Sequence, residues 1–160
     1  MTTKQVIFKL GTEEYGMDIS LVSGIENYTK VVPIPNAPAH IIGILNLRGD
    51  VIPVYSLRKK FRMEEITMTA ATQLLVTNCK GVLIGYKVDS VVEILEMDES
   101  QIRKIPPIVK CDETSYAKGV AESKGQLVVL LDIENILSEQ EREAVKEFSE
   151  ATNHSDEQKG

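Results

Sequence analysis

The chain has no tryptophan, only two cysteines and two histidines, and aromatic residues fill 5% of its 160 positions. So little aromatic bulk implies an aliphatic core, which the 42% hydrophobic content can supply as Val, Ile and Leu. Cys79 and Cys111 stand alone, without metal-type spacing, and read as the two ordinary thiols of a reduced, cytoplasmic protein. His154 falls in a polar C-terminal stretch. His40, beside Ile41 and Ile42, reads as a packed or surface residue rather than a base. No glycine-rich phosphate loop opens a helix, and no Ser, Thr or Cys has a catalytic companion nearby in sequence. The expectation is therefore no enzyme, no catalytic residue, no metal and no cofactor. No apolar run approaches the roughly 18–20 residues of a membrane helix. Nor does the N-terminus carry a basic segment followed by an apolar core, so no signal peptide and no direct membrane contact are expected.

Basic charge is also scarce. The net charge is −6, and residues 138–160 hold seven acids against three bases, which leaves −2 for the body. A nucleic-acid binder concentrates basic surface; here Arg58, Lys59, Lys60 and Arg62 form one small cluster, read as a solvated turn rather than a phosphate site.

What the chain does have is a rhythm of short apolar runs cut by Gly, Pro, Asn and Asp. Strands are expected over 5–10, 14–19, 73–78, 82–88, 91–95, 116–122 and 126–131, together with the pair in 43–57. Asp18 caps a short helical turn over 19–22, and Gly24 ends it. Three prolines in 31–38 mark a stiff connector. Residues 56–61 form a turn of helix, 62–70 a polar loop and 96–118 an irregular segment around Pro106 and Pro107. Ser138 with Glu141 three positions on is a capping box for a last helix, whose apolar stripe runs through Ala144, Val145 and Phe148. The stripe then stops. The expected organisation is one domain over 1–149 followed by a disordered acidic tail, 150–160.

The stretch from Gly43 to Leu57 reads as strand, tight turn, strand, with Asn46, Arg48, Gly49 and Asp50 between two apolar runs. Arg48 is the odd residue. A cation inside an apolar hairpin is either a structural ion pair or part of a protein-binding surface. His40 aside, the remaining candidates are apolar residues near strand ends, Val22, Ile25, Val91 and Ile94, which read first as core, and Gly43 and Gly85, which read first as turn or bulge glycines.

Asn46-Leu47-Arg48-Gly49, Val51-Ile52-Pro53-Val54 and Leu57-Arg58 resemble the signature of the CheW family of bacterial chemotaxis coupling proteins. Residues 14–19, 85–91 and 128–137 resemble further family segments in the same order, so the likeness spans roughly 4–148. The resemblance implies an all-β fold of two SH3-like five-stranded barrels sharing a hydrophobic core, plus a C-terminal helix. It also implies an adaptor, monomeric when free, that binds the cytoplasmic tip of a chemoreceptor and the regulatory domain of the CheA histidine kinase. On this reading Val22, Ile25, Gly43, Asn46, Arg48, Gly49, Val91 and Ile94 are receptor-binding. Family members commonly carry a glutamate where this chain has Gly24; Glu26, two residues on and on the same strand face, is the nearest substitute partner for Arg48. The alternatives are a related scaffold of another pathway, such as surface motility, and a small-barrel nucleic-acid binder.

Overall fold

The computed structural model describes residues 1–29, 31–105 and 116–159, with 152–159 as backbone alone. Pro106, Pro107 and Cys111 lie outside the described residues. The chain runs β1 (Thr2–Leu10), β2 (Glu13–Asp18), β3 (Val22–Asn27), β4 (Ile41–Leu47), β5 (Asp50–Ser56), α1 (Leu57–Lys60), β6 (Gln73–Cys79), β7 (Val82–Val88), β8 (Ser90–Asp98), β9 (Ala117–Ser123), β10 (Gln126–Leu131) and α2 (Glu139–Lys159). Short 3-10 turns occupy Ile19–Leu21, Glu99–Gln101 and Ile133–Asn135. Side chains start these turns: Asp18 accepts from the Ser20 amide at 2.9 Å, and the Ser56 hydroxyl, heading α1, from the Lys59 amide at 3.2 Å.

Two sheets form, one in the order β8-β1-β2-β10-β9 and the other β3-β6-β7-β5-β4. All neighbours are antiparallel except β2–β10 and β5–β7. The two sheets are one arrangement cut at different points of the chain: hairpin β1–β2 matches β6–β7, edge strand β8 matches β3, and hairpin β9–β10 matches β4–β5. Each sheet curls, because the chain leaving its edge strand pairs with the opposite edge. Val32 bridges Ile44 in the second sheet, and Arg103 bridges Val120 in the first. The architecture is all-β, as expected. Each curl is joined by an isolated bridge rather than by a continuous closing ladder.

Three hairpins turn on two-residue loops with both residues at positive φ: Arg48-Gly49 (52° and 91°), Lys80-Gly81 (54° and 85°) and Lys124-Gly125 (52° and 79°). This left-handed pair matches the twist of the flanking strands, and glycine takes its second position without steric cost. In two of them an asparagine side chain pins the loop: Asn46 accepts from the Gly49 amide at 3.0 Å and Asn78 from the Gly81 amide at 2.9 Å.

The shared core lies between the sheets. Val6, Phe8, Leu10 and Met17 enter from one side, and Tyr55, Leu75, Ile84 and Tyr86 from the other, all buried. Smaller cores fill each curl, Ile7, Met97, Val128 and Leu130 in the first and Leu45, Ile52, Val54 and Leu74 in the second. Each buried Leu or Ile contributes roughly 1.5–3 kcal/mol, so the aliphatic composition suffices without tryptophan.

Some sequence expectations shift. Gly24 ends no helical turn but sits inside β3, just after a bulge at Ser23. Gly85 is neither turn nor bulge: it lies buried in mid-β7, between Val76 and Val54, and a Cβ there would meet Ile52 at 3.4 Å and Leu74 at 3.6 Å. The capping box is reciprocal, Ser138 N–H to Glu141 at 2.9 Å and Glu141 N–H to Ser138 at 3.2 Å. The helix it starts keeps its backbone form to Lys159, past residue 149, where the apolar stripe ends.

Candidate partner-binding surface

Arg48 stands at the tip of the β4–β5 hairpin, its side chain 75% exposed. The curl brings this tip to β3, where Arg48 donates one hydrogen bond to Glu26 Oε1 at 2.9 Å; the Glu26 side chain is 20% exposed. Glu26, the partner expected from its place on the β3 face, does pair with Arg48. A pair this exposed contributes only ~0.2–1 kcal/mol. One bond leaves most of the guanidinium's five donors unused by it. A small open cleft beneath the pair is lined by Ser23, Gly24, Glu26, Leu47, Arg48 and Asp50, among others. Asn46 and Gly49 shape the tip.

Gly43 plays another part. A Cβ there would lie 2.3 Å from the Val32 carbonyl oxygen and 2.5 Å from the Val31 side chain. The backbone that this glycine admits is the chain's own connector, at the bulge where β4 shifts register on β5.

Val22 and Ile25 on β3, and Val91 at the start of β8, are half-buried against the shared core, while Ile94 is 51% exposed. These residues belong to different sheets. A polar link reaches Val91 from the strand next to β3: Gln73 of β6, paired with Asn27 of β3, accepts from the Val91 amide through its side chain at 3.3 Å. The structure thus gathers Arg48, Asn46, Gly49 and Glu26 at one place and links Val91 to Gln73, the β6 residue paired with Asn27 at the same end of β3. Gly43 is withdrawn beneath the connector.

Three clusters escaped the sequence reading. Glu141, buried, accepts from the Ser138 amide, binds His40 Nδ1 at 2.6 Å and accepts from the Tyr55 hydroxyl at 3.0 Å. Burial raises the Glu141 pKa, but these hydrogen bonds outweigh it and hold the carboxyl below its ordinary range. Burial and then the Glu141 charge push the Tyr55 hydroxyl far up. The trio clamps α2 to β5. His40 is thus a packed residue, and the capping box was its one visible sign. Second, Glu65 accepts from Ser56 and, at 3.0 Å, from Lys87. Third, Arg58 leaves the supposed solvated turn to grip Asp89, Nε to Oδ1 at 2.8 Å and a terminal nitrogen to Oδ2 at 2.5 Å.

Among the described residues no group of three or more His, Cys, Asp or Glu side chains is placed to hold a metal ion. No helix there is long and apolar enough to cross a membrane. Two curled five-stranded sheets of duplicated topology, packed on one shared core, define a paired β module. The chain belongs to the family of the CheW-like domain, whose model matches residues 4–141. It is 37% identical over 136 residues to the chemotaxis protein CheW of Klebsiella aerogenes, covering 85% of this chain and 82% of that one. To CheW of Rhizobium meliloti it is 31% identical over 139 residues, 87% and 90% of the two chains. The solved scaffolding protein TtCheW of Thermoanaerobacter tengcongensis superposes with a TM-score of 0.78 at 29% identity, over 88% of this chain and 91% of that one. The chain is accordingly a CheW-family scaffold protein of chemotaxis signalling.

Proposed function

We propose that this protein couples the cytoplasmic tips of chemoreceptors to a CheA histidine kinase, in the cytoplasm, as an adaptor without chemistry of its own. The observation that carries the reading is Arg48: exposed, held by a single bond, and presented by a turn whose geometry Asn46 and Gly49 enforce. A guanidinium in that state can engage carboxylates or backbone carbonyls of a helical partner at little cost in folding. Val22, Ile25, Val91 and Ile94 supply apolar surface beside it, with Asn46, Gly49 and Gly43 shaping the hairpin. The regulatory domain of CheA is itself similar to CheW, so contact with it is sheet end to sheet end, through apolar strand surface. The test is reconstitution: receptor-bearing membranes, CheA and this protein, sedimented together and assayed for phosphorylation. Co-sedimentation with a receptor-dependent rise in kinase activity is expected. No rise, with all three components folded, refutes the reading.

A further inference from the structure

We propose that the Arg58–Asp89 pair is a positioning clasp that fixes the angle between the two sheets and with it the spacing of the two halves of the receptor-binding surface. The proposal rests on the coupling role given above. Its basis is where Asp89 sits. β7 ends at Val88 in one sheet and β8 begins at Ser90 in the other, so Asp89 alone makes the crossing. It is bound on both sides. Its amide donates to the Lys9 carbonyl at 3.0 Å, and its carboxylate accepts from the Gly11 amide at 2.7 Å, both in the first sheet's β1–β2 hairpin. The same carboxylate takes the two-pronged grip of Arg58, which α1 carries directly behind β5 of the second sheet. Arg58 is tied in turn to the Glu64 carbonyl at 2.7 Å. Both side chains are largely sheltered, 11% and 18% exposed.

The shared core already holds the sheets together, but apolar packing is non-directional and tolerates sliding. A bidentate guanidinium–carboxylate pair does not, because both bonds fail when either group turns. The candidate receptor residues divide along the same line, Val22, Ile25 and the Arg48 tip on the second sheet, Val91 and Ile94 on the first. Among the described residues a longer, neutral bond, from the Val91 amide to the Gln73 side chain of β6, also crosses that line. A change of angle at Asp89 therefore moves one half of the surface against the other.

The test uses the full chain with both cysteines replaced by alanine and nitroxides at Lys80→Cys and Lys118→Cys, exposed positions on opposite sheets. The parent should give a narrow interspin distance distribution. Asp89→Asn should broaden or shift it while unfolding stays a single transition. Receptor-dependent kinase activation should fall ~5-fold or more, the scale of a coupling effect, and binding of the isolated CheA regulatory domain should be unchanged. Arg58→Lys, which keeps the charge but not the fork, should fall between and serves if Asp89→Asn does not fold. An unchanged distribution in both variants, or a broadened one with full activation, overturns the clasp. If the unlabelled parent shows no receptor-dependent activation, the coupling role fails instead, and the distances still decide whether the pair sets the angle.

Discussion

Arg48→Glu separates a binding role from a folding role. The residue lies at φ 52°, where glutamate is no worse than arginine, so the backbone term cancels. The variant loses one exposed bond to Glu26, worth ~0.2–1 kcal/mol, and gains a repulsion of similar size against it. Stability should drop by about 1 kcal/mol, a fall in Tm of roughly 2–4 °C for a chain of this length. At a contact buried on binding, the same reversal should cost ~2–5 kcal/mol, which is ~30-fold or more in affinity. Calorimetric unfolding and receptor-dependent phosphorylation, measured on one preparation, read the two effects apart. The exchange Arg48→Glu with Glu26→Arg restores the ion pair, so it should recover the Tm but leave coupling defective. Full coupling by Arg48→Glu would place the receptor site elsewhere. Recovery of both properties by the exchange would reduce Arg48 to a structural ion pair.

Gly43→Ala would drive a methyl group into the Val32 carbonyl, so the Val32–Ile44 bridge should open at a cost of ~1–3 kcal/mol, seen as a lowered Tm and faster exchange of the Ile44 amide. Glu65, Glu141 and Asp89 all have folded pKa values held below their ordinary ones, so each adds stability above about pH 4 that fades as the pH falls through the folded value. A Tm measured from neutral pH downward should therefore fall steeply in that acid window and hardly at all above it; a flat profile would show that these contacts do not form. Deleting residues 150–160, which carry no apolar residue but Ala151, should leave the Tm within about 1 °C. A larger fall would mean that the far end of α2 packs on the body.

The strands were legible in the sequence because each apolar run is cut off by residues whose backbone preferences are strong. Gly49, Gly81 and Gly125 mark three hairpins almost to the residue. The capping box at Ser138 and the Asp18 turn were visible for the same local reason. What stayed hidden is long-range. The Arg58–Asp89 pair spans 31 residues and the His40–Glu141 pair 101, so no local pattern shows them. Arg58 reads as solvated because the window around it is basic, while its partner comes from the far side of two strands. Gly43 reads in the sequence as a turn or bulge glycine and does sit at a bulge, but the close approach of residues 31–32 depends on the curl of the sheet, which periodicity does not encode.

The duplicated topology also explains how Arg48 is served by Glu26 rather than by a side chain at position 24. In the first sheet the matching hairpin tip carries Lys124, which binds Glu93 on edge strand β8 at 3.0 Å. Glu93 is the residue just after the bulge in β8, as Gly24 is the residue just after the bulge in β3. One sheet therefore holds its tip with an acid at the post-bulge position. In the other, that position has no side chain, and the Glu26 carboxylate lies against it: a Cβ built on Gly24 would stand 3.2 Å from Glu26 Oε1. Two residues along a strand return to the same face, so the charge arrives at the tip from one pleat further on. A side chain at position 24 and the Glu26 carboxylate thus compete for one space, and Gly24→Glu should displace Glu26 toward solvent rather than add a second acid to the Arg48 pair.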